Sequence, residues 1–262
     1  MIKISHEVPL EMLEESRSFN DYDYCLLHLT LKYPSYKQFY IDSAQMGREV
    51  LLDNSLFELG EALSLDKVAQ GVVDLQPTWV VVPDCLNDSS ETIKLFKEWE
   101  AAYSGLNVKT IGVAQGATEK DLINCYIFMS EHADKVAIPF ASQSFRAAHS
   151  DLLQAQCKGR QNFVSKLVEE GIWNLSKPHH LLGCSLAKEF SFPLYQKVIS
   201  SIDTSNPVVA AINHLAYTET GLADKPSTKL CDLSEYHFTE EEHRLMLYNI
   251  QVFKNLCGSK PN

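Results

Sequence analysis

The sequence predicts an α/β fold, a single-domain (β/α)8 TIM-type barrel, on three observations. Five short apolar, β-branched runs each end abruptly at a polar residue or turn: Val50-Leu51-Leu52-Asp53, Trp79-Val80-Val81-Val82-Pro83-Asp84, Thr110-Ile111-Gly112-Val113-Ala114-Gln115, His180-Leu181-Leu182-Gly183-Cys184 and Val198-Ile199-Ser200-Ser201-Ile202-Asp203. Runs of about four to eight such residues read as strands buried on both faces, as in a parallel sheet. Adding residues 24–31 and 135–139 gives seven strands, mostly spaced by about 25 to 30 residues, one strand–helix unit per interval. The length, 262 residues, suits an α/β barrel of about 250. No Gly-Ser linker, low-complexity tract or compositional break divides the chain, so residues 1–262 form one domain. An open doubly wound sheet is the competing arrangement, but its usual G-x-G-x-x-G after the first strand is missing.

The helices between these strands have recognisable starts. Ser64 caps a helix over Leu65, Val68 and Val72. Asp88, with Glu91 three residues on, opens one through Leu95, Phe96 and Trp99. Thr118, followed by Glu119 and Asp121, opens another across Leu122, Tyr126 and Met129, its acids complementing the helix dipole. After the fifth strand, residues 141–178 are too long for a simple loop and form an insertion. An eighth strand is expected within 208–217. Thr239 and Glu242 then form a capping box before Leu245, Tyr248, Ile250 and Phe253.

Apolar residues make up 45% of the chain, with no run near the roughly 18 needed to cross a bilayer. Residues 1–13 carry acids and Pro9 where a signal peptide needs an apolar centre. A soluble, cytoplasmic protein without membrane contact is expected. The seven cysteines, Cys25, Cys85, Cys125, Cys157, Cys184, Cys231 and Cys257, stand singly, which argues for reduced thiols and against a structural zinc. The formal net charge of −11 disfavours a generic nucleic-acid binder, so any such contact is a local patch. The candidate patch is the inserted segment, the most basic stretch, with Arg146, Lys158 and Arg160 as contacts and His149 and Lys166 nearby. A solvated helix face is the alternative.

At the carboxyl edge of a parallel barrel, where chemistry is usually placed, Asp53, Asp84, Gln115 and Asp203 would converge. Asp53 and Asp203 suit glycosyl transfer, where retaining enzymes hold two carboxyls about 5 to 5.5 Å apart. They suit Mg²⁺ coordination or helix capping as well.

The residues carry a resemblance. Leu52-Asp53-Asn54-Ser55-Leu56-Phe57-Glu58-Leu59 resembles the D-S-G-G-F-Q signature of the tRNA-guanine transglycosylases, and Gly112-Val113-Ala114-Gln115-Gly116 resembles their G-x-x-Q-G. Pro83-Asp84-Cys85 falls where that family carries a base-reading aspartate. The stretch from Ser201 to Pro207 falls where it carries its nucleophilic aspartate. The resemblance spans residues 53–207 and rests on the order of short, degenerate motifs. The family's cysteine-rich zinc site is absent, its Gly-Gly is Ser55-Leu56 here and its Gln is Glu58. A compact, zinc-free chain is more similar to phage enzymes of the DpdA type, which insert 7-deazaguanine bases into DNA.

The resemblance implies that Asp203 attacks C1′ of a guanine nucleotide and that Asp53 protonates the leaving guanine and deprotonates the incoming base. It implies that Asp84 accepts from guanine N1–H and the 2-amino group, and that Gln115 and the Gly116 N–H donate to O6. Asn54 joins the substrate-binding set. A base would stack on Phe57, whose plainer reading is core packing. DNA and a free 7-deazaguanine base such as preQ0 are the implied partners, with tRNA the alternative nucleic acid and no cofactor or metal. Rival readings are a silent base-binding or scaffolding relative, which would be expected to lose Asp53 or Asp203, an enzyme acting on free nucleosides, and Mg²⁺-dependent lyase or phosphatase chemistry.

The remaining candidates read as structural. His179 and His180 point to opposite faces of a strand and cannot share one ion. His214 is satisfied locally, Cys184 has no basic neighbour in sequence, and Asp151, Glu169 and Glu170 are solvated.

Overall fold

The computed structural model describes residues 1–226, 230 and 234–258. Eight strands, β1 (Lys3–His6), β2 (Asp23–Leu26), β3 (Val50–Asp53), β4 (Trp79–Val81), β5 (Lys109–Val113), β6 (Lys135–Pro139), β7 (His179–Leu182) and β8 (Ser201–Thr204), form one sheet in the order β1-β8-β7-β6-β5-β4-β3-β2. Every ladder is parallel. The sheet curls until β1 and β2 face each other across a seam. There, Asp21 N donates to Ile4 O at 2.9 Å, Asp21 Oδ2 accepts from Ile4 N at 2.8 Å, and Ser5 Oγ accepts from Tyr24 N at 3.2 Å. The barrel is nearly closed. Ile4, Leu52, Val80, Ile111, Ala137, Leu181 and Ile202 are inaccessible to solvent, as expected of strands covered on both sides.

Between the strands run α1 (Leu13–Ser16), α2 (Leu27–Lys32), α3 (Pro34–Gln45), α4 (Leu56–Leu59), α5 (Leu65–Leu75), α6 (Ser89–Tyr103), α7 (Glu119–His132), α8 (Leu152–Glu169) and α9 (Tyr195–Val198). After the last strand come α10 (Asn206–Ile212) and α11 (Glu240–Leu256). The expected caps form at three starts. Asp88 Oδ1 accepts from Glu91 N at 2.9 Å and Thr118 Oγ1 from Asp121 N at 3.2 Å. Thr239 and Glu242 make the reciprocal box, with Oγ1 accepting from Glu242 N and Oε2 from Thr239 N. Ser64 flanks α5, but its side chain makes no cap bond. No described helix is long and apolar enough to cross a membrane.

Three expectations need correction. The eighth strand is β1, at the start of the chain, and the segment 208–217 instead begins within α10, which Pro207 opens in its first turn. The run from residue 24 to 31 is a strand only to Leu26 and turns helical at Leu27. With β1 counted, the insertion follows the sixth strand. It consists of a 3-10 turn, Gln143–Ala148, packed on α8. A Cβ on Gly159 would lie 2.3 Å from Phe145 Cβ, so the missing side chain lets the turn and helix meet.

Candidate active site

The carboxyl ends of the strands open into one cavity of about 410 Å³, within the range of small-molecule sites. Asp53, Asp84, Gln115 and Asp203 all line it, so the four strand-end residues do converge. So do Glu7 just beyond β1, Glu58 on α4 and Lys225 from the loop after α10. Five carboxyls therefore share a cavity in which Lys225 is the one basic side chain among the described residues.

Asp203 is held from below and from the side. His180 Nε2 lies 2.9 Å from Asp203 Oδ1, and the Gly183 N–H donates to both carboxylate oxygens at 3.2 Å. His180 and Ser201 are partners in the β7–β8 register, and His180 Nδ1 lies 2.9 Å from Ser201 Oγ. Asp203 is the next residue of β8 on the same face as Ser201, because successive side chains alternate. Burial pushes the His180 imidazole below its ordinary value, and the Asp203 hydrogen bond opposes this. Gly183 adopts φ 66°, with Phe140 packed where a side chain would project.

Asp53 has the opposite environment. Burial, foremost, and then the charge of Glu58 hold its carboxyl well above the usual range, against hydrogen bonds from Ser55 N and the Tyr24 hydroxyl. The Ser55 bond is 2.6 Å to Oδ2. Glu7 is pushed up in the same way, by burial and then by Glu58, Asp203 and Asp53. Like charges in a partly dry site cannot all ionise. Lys225, whose Nζ donates to Cys184 O at 2.9 Å, is lowered by burial and supported by Glu7 and Asp203.

Asp84 is clamped. Asn54 Nδ2 donates to its Oδ1 and Gln115 Nε2 to its Oδ2, both at 2.7 Å. Asn54 is itself fixed by bonds to Val82 O and from Leu56 N, and Gln115 Oε1 accepts from Asn87 N at 3.1 Å. Burial raises Asp84 to about 6, with both amides resisting. Each carboxylate oxygen keeps a lone pair, and Gln115 a second N–H, for a ligand.

Phe57 is 46% exposed and lines the cavity mouth, so it is not a core residue. Its ring meets Phe140, another lining residue, at 5.1 Å between centroids.

Gly116, expected to present its N–H to a base, lies elsewhere. It does not line the cavity. A Cβ there would lie 2.3 Å from Leu122 N, so the glycine admits the first turn of α7 rather than a ligand.

Arg160, expected on a nucleic-acid surface, is inaccessible to solvent. Its guanidinium grips Glu189 at 2.7 and 3.0 Å and donates to Ile138, Leu182 and Gly183 carbonyls. It therefore braces the strand ends behind Asp203. Arg146 and Lys158 are exposed and remain candidates for phosphate, while Lys166 pairs with Glu119 at 2.7 Å. The insertion's main contribution to the site is apolar, since Leu152 and Leu153 at the start of α8 form part of the cavity wall.

His179 and His180 do face opposite ways, and His179 packs against Trp173 and bonds Tyr126. His214 lies exposed, 3.5 Å from Glu242. Cys184 lines the cavity, but burial raises its thiol well above the ordinary value. Cys231 lies outside the described residues.

Sequence reasoning missed Glu7, Glu58 as a cavity acid, Lys225 and the contact of His180 with Asp203. Only the last left a trace, in the inward alternation His180, Ser201 and Asp203. Neither protein-family models nor curated proteins include a match to this chain.

Proposed function

We propose that the protein is a base-exchange transglycosylase that replaces guanine in nucleic acid, DNA in preference to tRNA, with a 7-deazaguanine base. The observation that carries this reading is the unequal setting of two carboxyls in one cavity: Asp203 accepts from the Gly183 N–H on both oxygens and meets His180 Nε2 at 2.9 Å, whereas burial and then Glu58 hold Asp53 towards its protonated form. One is suited to attack and the other to give a proton.

In the first half-reaction an Asp203 oxygen bonds C1′ of the extruded nucleotide, and the C1′–N9 bond breaks through an oxocarbenium-like transition state. The N9 electron pair leaves with guanine and takes the Asp53 proton. In the second, Asp53 removes the N9 proton of the incoming base, which bonds C1′ as the Asp203 ester bond breaks. Nothing is oxidised or reduced. Asp84 would take guanine N1–H and the 2-amino group, Gln115 would donate its second N–H to O6, and Phe57 with Phe140 would hold the base plane. Gly116 has no part in this scheme.

The backbone supports the resemblance to the transglycosylase signature at one position. Ser55, where that signature has its first glycine, adopts φ 64°, a conformation glycine reaches without strain. Extruding a base from a duplex costs a few kcal/mol, so exposed Arg146 and Lys158 would serve as strand contacts.

The test is exchange of radiolabelled guanine into duplex DNA, single-stranded DNA and tRNA in parallel. Incorporation into DNA supports the reading, incorporation into tRNA alone moves the substrate to tRNA, and incorporation into none overturns it.

A further inference from the structure

The proposed reaction leaves open which Asp203 oxygen attacks, and the buried hydrogen-bonded chain that ends on Asp203 distinguishes the two. From the geometry we infer that His180 is a positioning residue that anchors Asp203 Oδ1 through its Nε2–H, leaving Oδ2 as the attacking oxygen. This inference rests on the assignment of Asp203 as nucleophile.

The tautomer follows from the partners. A carboxylate offers no hydrogen, so a neutral imidazole 2.9 Å from Asp203 Oδ1 must donate from Nε2. Nδ1 is then bare and accepts the hydroxyl hydrogen of Ser201 at 2.9 Å. The neutral state is supported by complete burial and by the direction in which burial moves the ring. The other groups acting on it are Lys135 of β6 and Arg160 of α8, both of which disfavour a positive ring, and the Tyr22 ring edge-on at 6.4 Å.

The arrangement distinguishes the two oxygens of Asp203. Both share the Gly183 N–H, but only Oδ1 has the imidazole. When Oδ2 bonds C1′, Oδ1 becomes the carbonyl oxygen of the glycosyl ester and keeps its His180 hydrogen bond. When the incoming base bonds C1′, the electron pair of the breaking C1′–Oδ2 bond returns to the carboxylate. The imidazole neither gains nor loses a proton in either half. It holds the carboxylate plane, which is why a histidine inaccessible to solvent can matter to the reaction.

Two measurements on the full chain test this. With ¹⁵N-labelled histidine, NMR of the ring nitrogens at pH 7 should show the Nε2–H tautomer for the resonance lost in His180→Gln. In exchange assays His180→Ala should lower kcat by about 10- to 100-fold, the loss of one hydrogen bond to a charged group, with KM little changed. His180→Gln, which places an amide N–H near the Nε2 position, should restore much of that loss, and thermal melts would separate misfolding from the kinetic effect. An Nδ1–H tautomer or an imidazolium at pH 7 overturns the inference, as does a His180→Ala kcat within about twofold of the parent. If the parent protein exchanges no base while the ring shows Nε2–H, the transglycosylase reading fails and the hydrogen-bonded arrangement stands.

Discussion

Gln115 Nε2 lies 2.7 Å from Asp84 Oδ2, and Asn54 completes the clamp on the other oxygen. Strands β3, β4 and β5 thereby present one oriented carboxyl, raised by burial to about 6. In the proposed reaction, protonation would remove the acceptor offered to guanine N1–H and the 2-amino group. The expected kcat/KM falls as pH drops below about 6, approaching tenfold per unit. In Asp84→Asn that acid limb disappears and kcat/KM is low throughout. A pH profile of the two proteins decides it.

Asp53 separates activity from stability. Its folded-state pKa is raised by burial and Glu58. The folded protein thus binds the proton more tightly than the unfolded chain, and its stability declines as pH rises above the unfolded value of about 3.9, up to the folded-state value. Asp53→Asn removes that penalty and can still accept from Ser55 N. Melting at pH 8 should be equal to or higher than that of the parent, with a smaller gap at pH 5, while exchange falls by about 10²- to 10⁴-fold. A large loss of stability at pH 8 would contradict this reading of the site.

The insertion's cations divide into two kinds. Arg160→Ala strands Glu189 in the interior and should cost about 3 to 5 kcal/mol of stability. Arg146→Ala with Lys158→Ala should leave the melting temperature unchanged. If these two residues meet phosphates, the pair should also reduce the slope of log K against log salt by roughly 1.5. Denaturation midpoints and oligonucleotide titrations at several salt concentrations measure both effects.

Gly116→Ala should destabilise by about 1 to 3 kcal/mol through the clash with the Leu122 backbone. KM for guanine in the folded fraction should not change. A raised KM without loss of stability would return Gly116 to the base-binding set.

The barrel was legible because parallel strands bury both faces, so β3, β5 and β6 show as continuous apolar runs that match the structure to within about two residues. Lys3–His6 escaped notice because it is only four residues long and carries a single aliphatic side chain, Ile4. The stretch from 208 to 217 misled because Val208 and Val209 are β-branched, a composition that propensity assigns to strands but tertiary packing places in α10. Asp53, Asp84, Gln115 and Asp203 could be grouped from sequence because each sits at the end of a recognisable strand. Glu7 and Lys225 meet them only through barrel closure and a distant loop, which no local pattern records. Arg160 showed the converse failure: its charge was visible, but its buried partner Glu189, 29 residues on, was not.

The proposed reaction turns on covalent glycosylation of Asp203. Incubating the protein with a guanine-containing oligonucleotide, quenching in acid and measuring the intact mass tests it directly. The expected product is a protein–oligonucleotide adduct, with guanine released, that maps to Asp203, forms in the parent and is absent from Asp203→Ala. Base exchange with no adduct at any time point, or with undiminished turnover in Asp203→Ala, would contradict it.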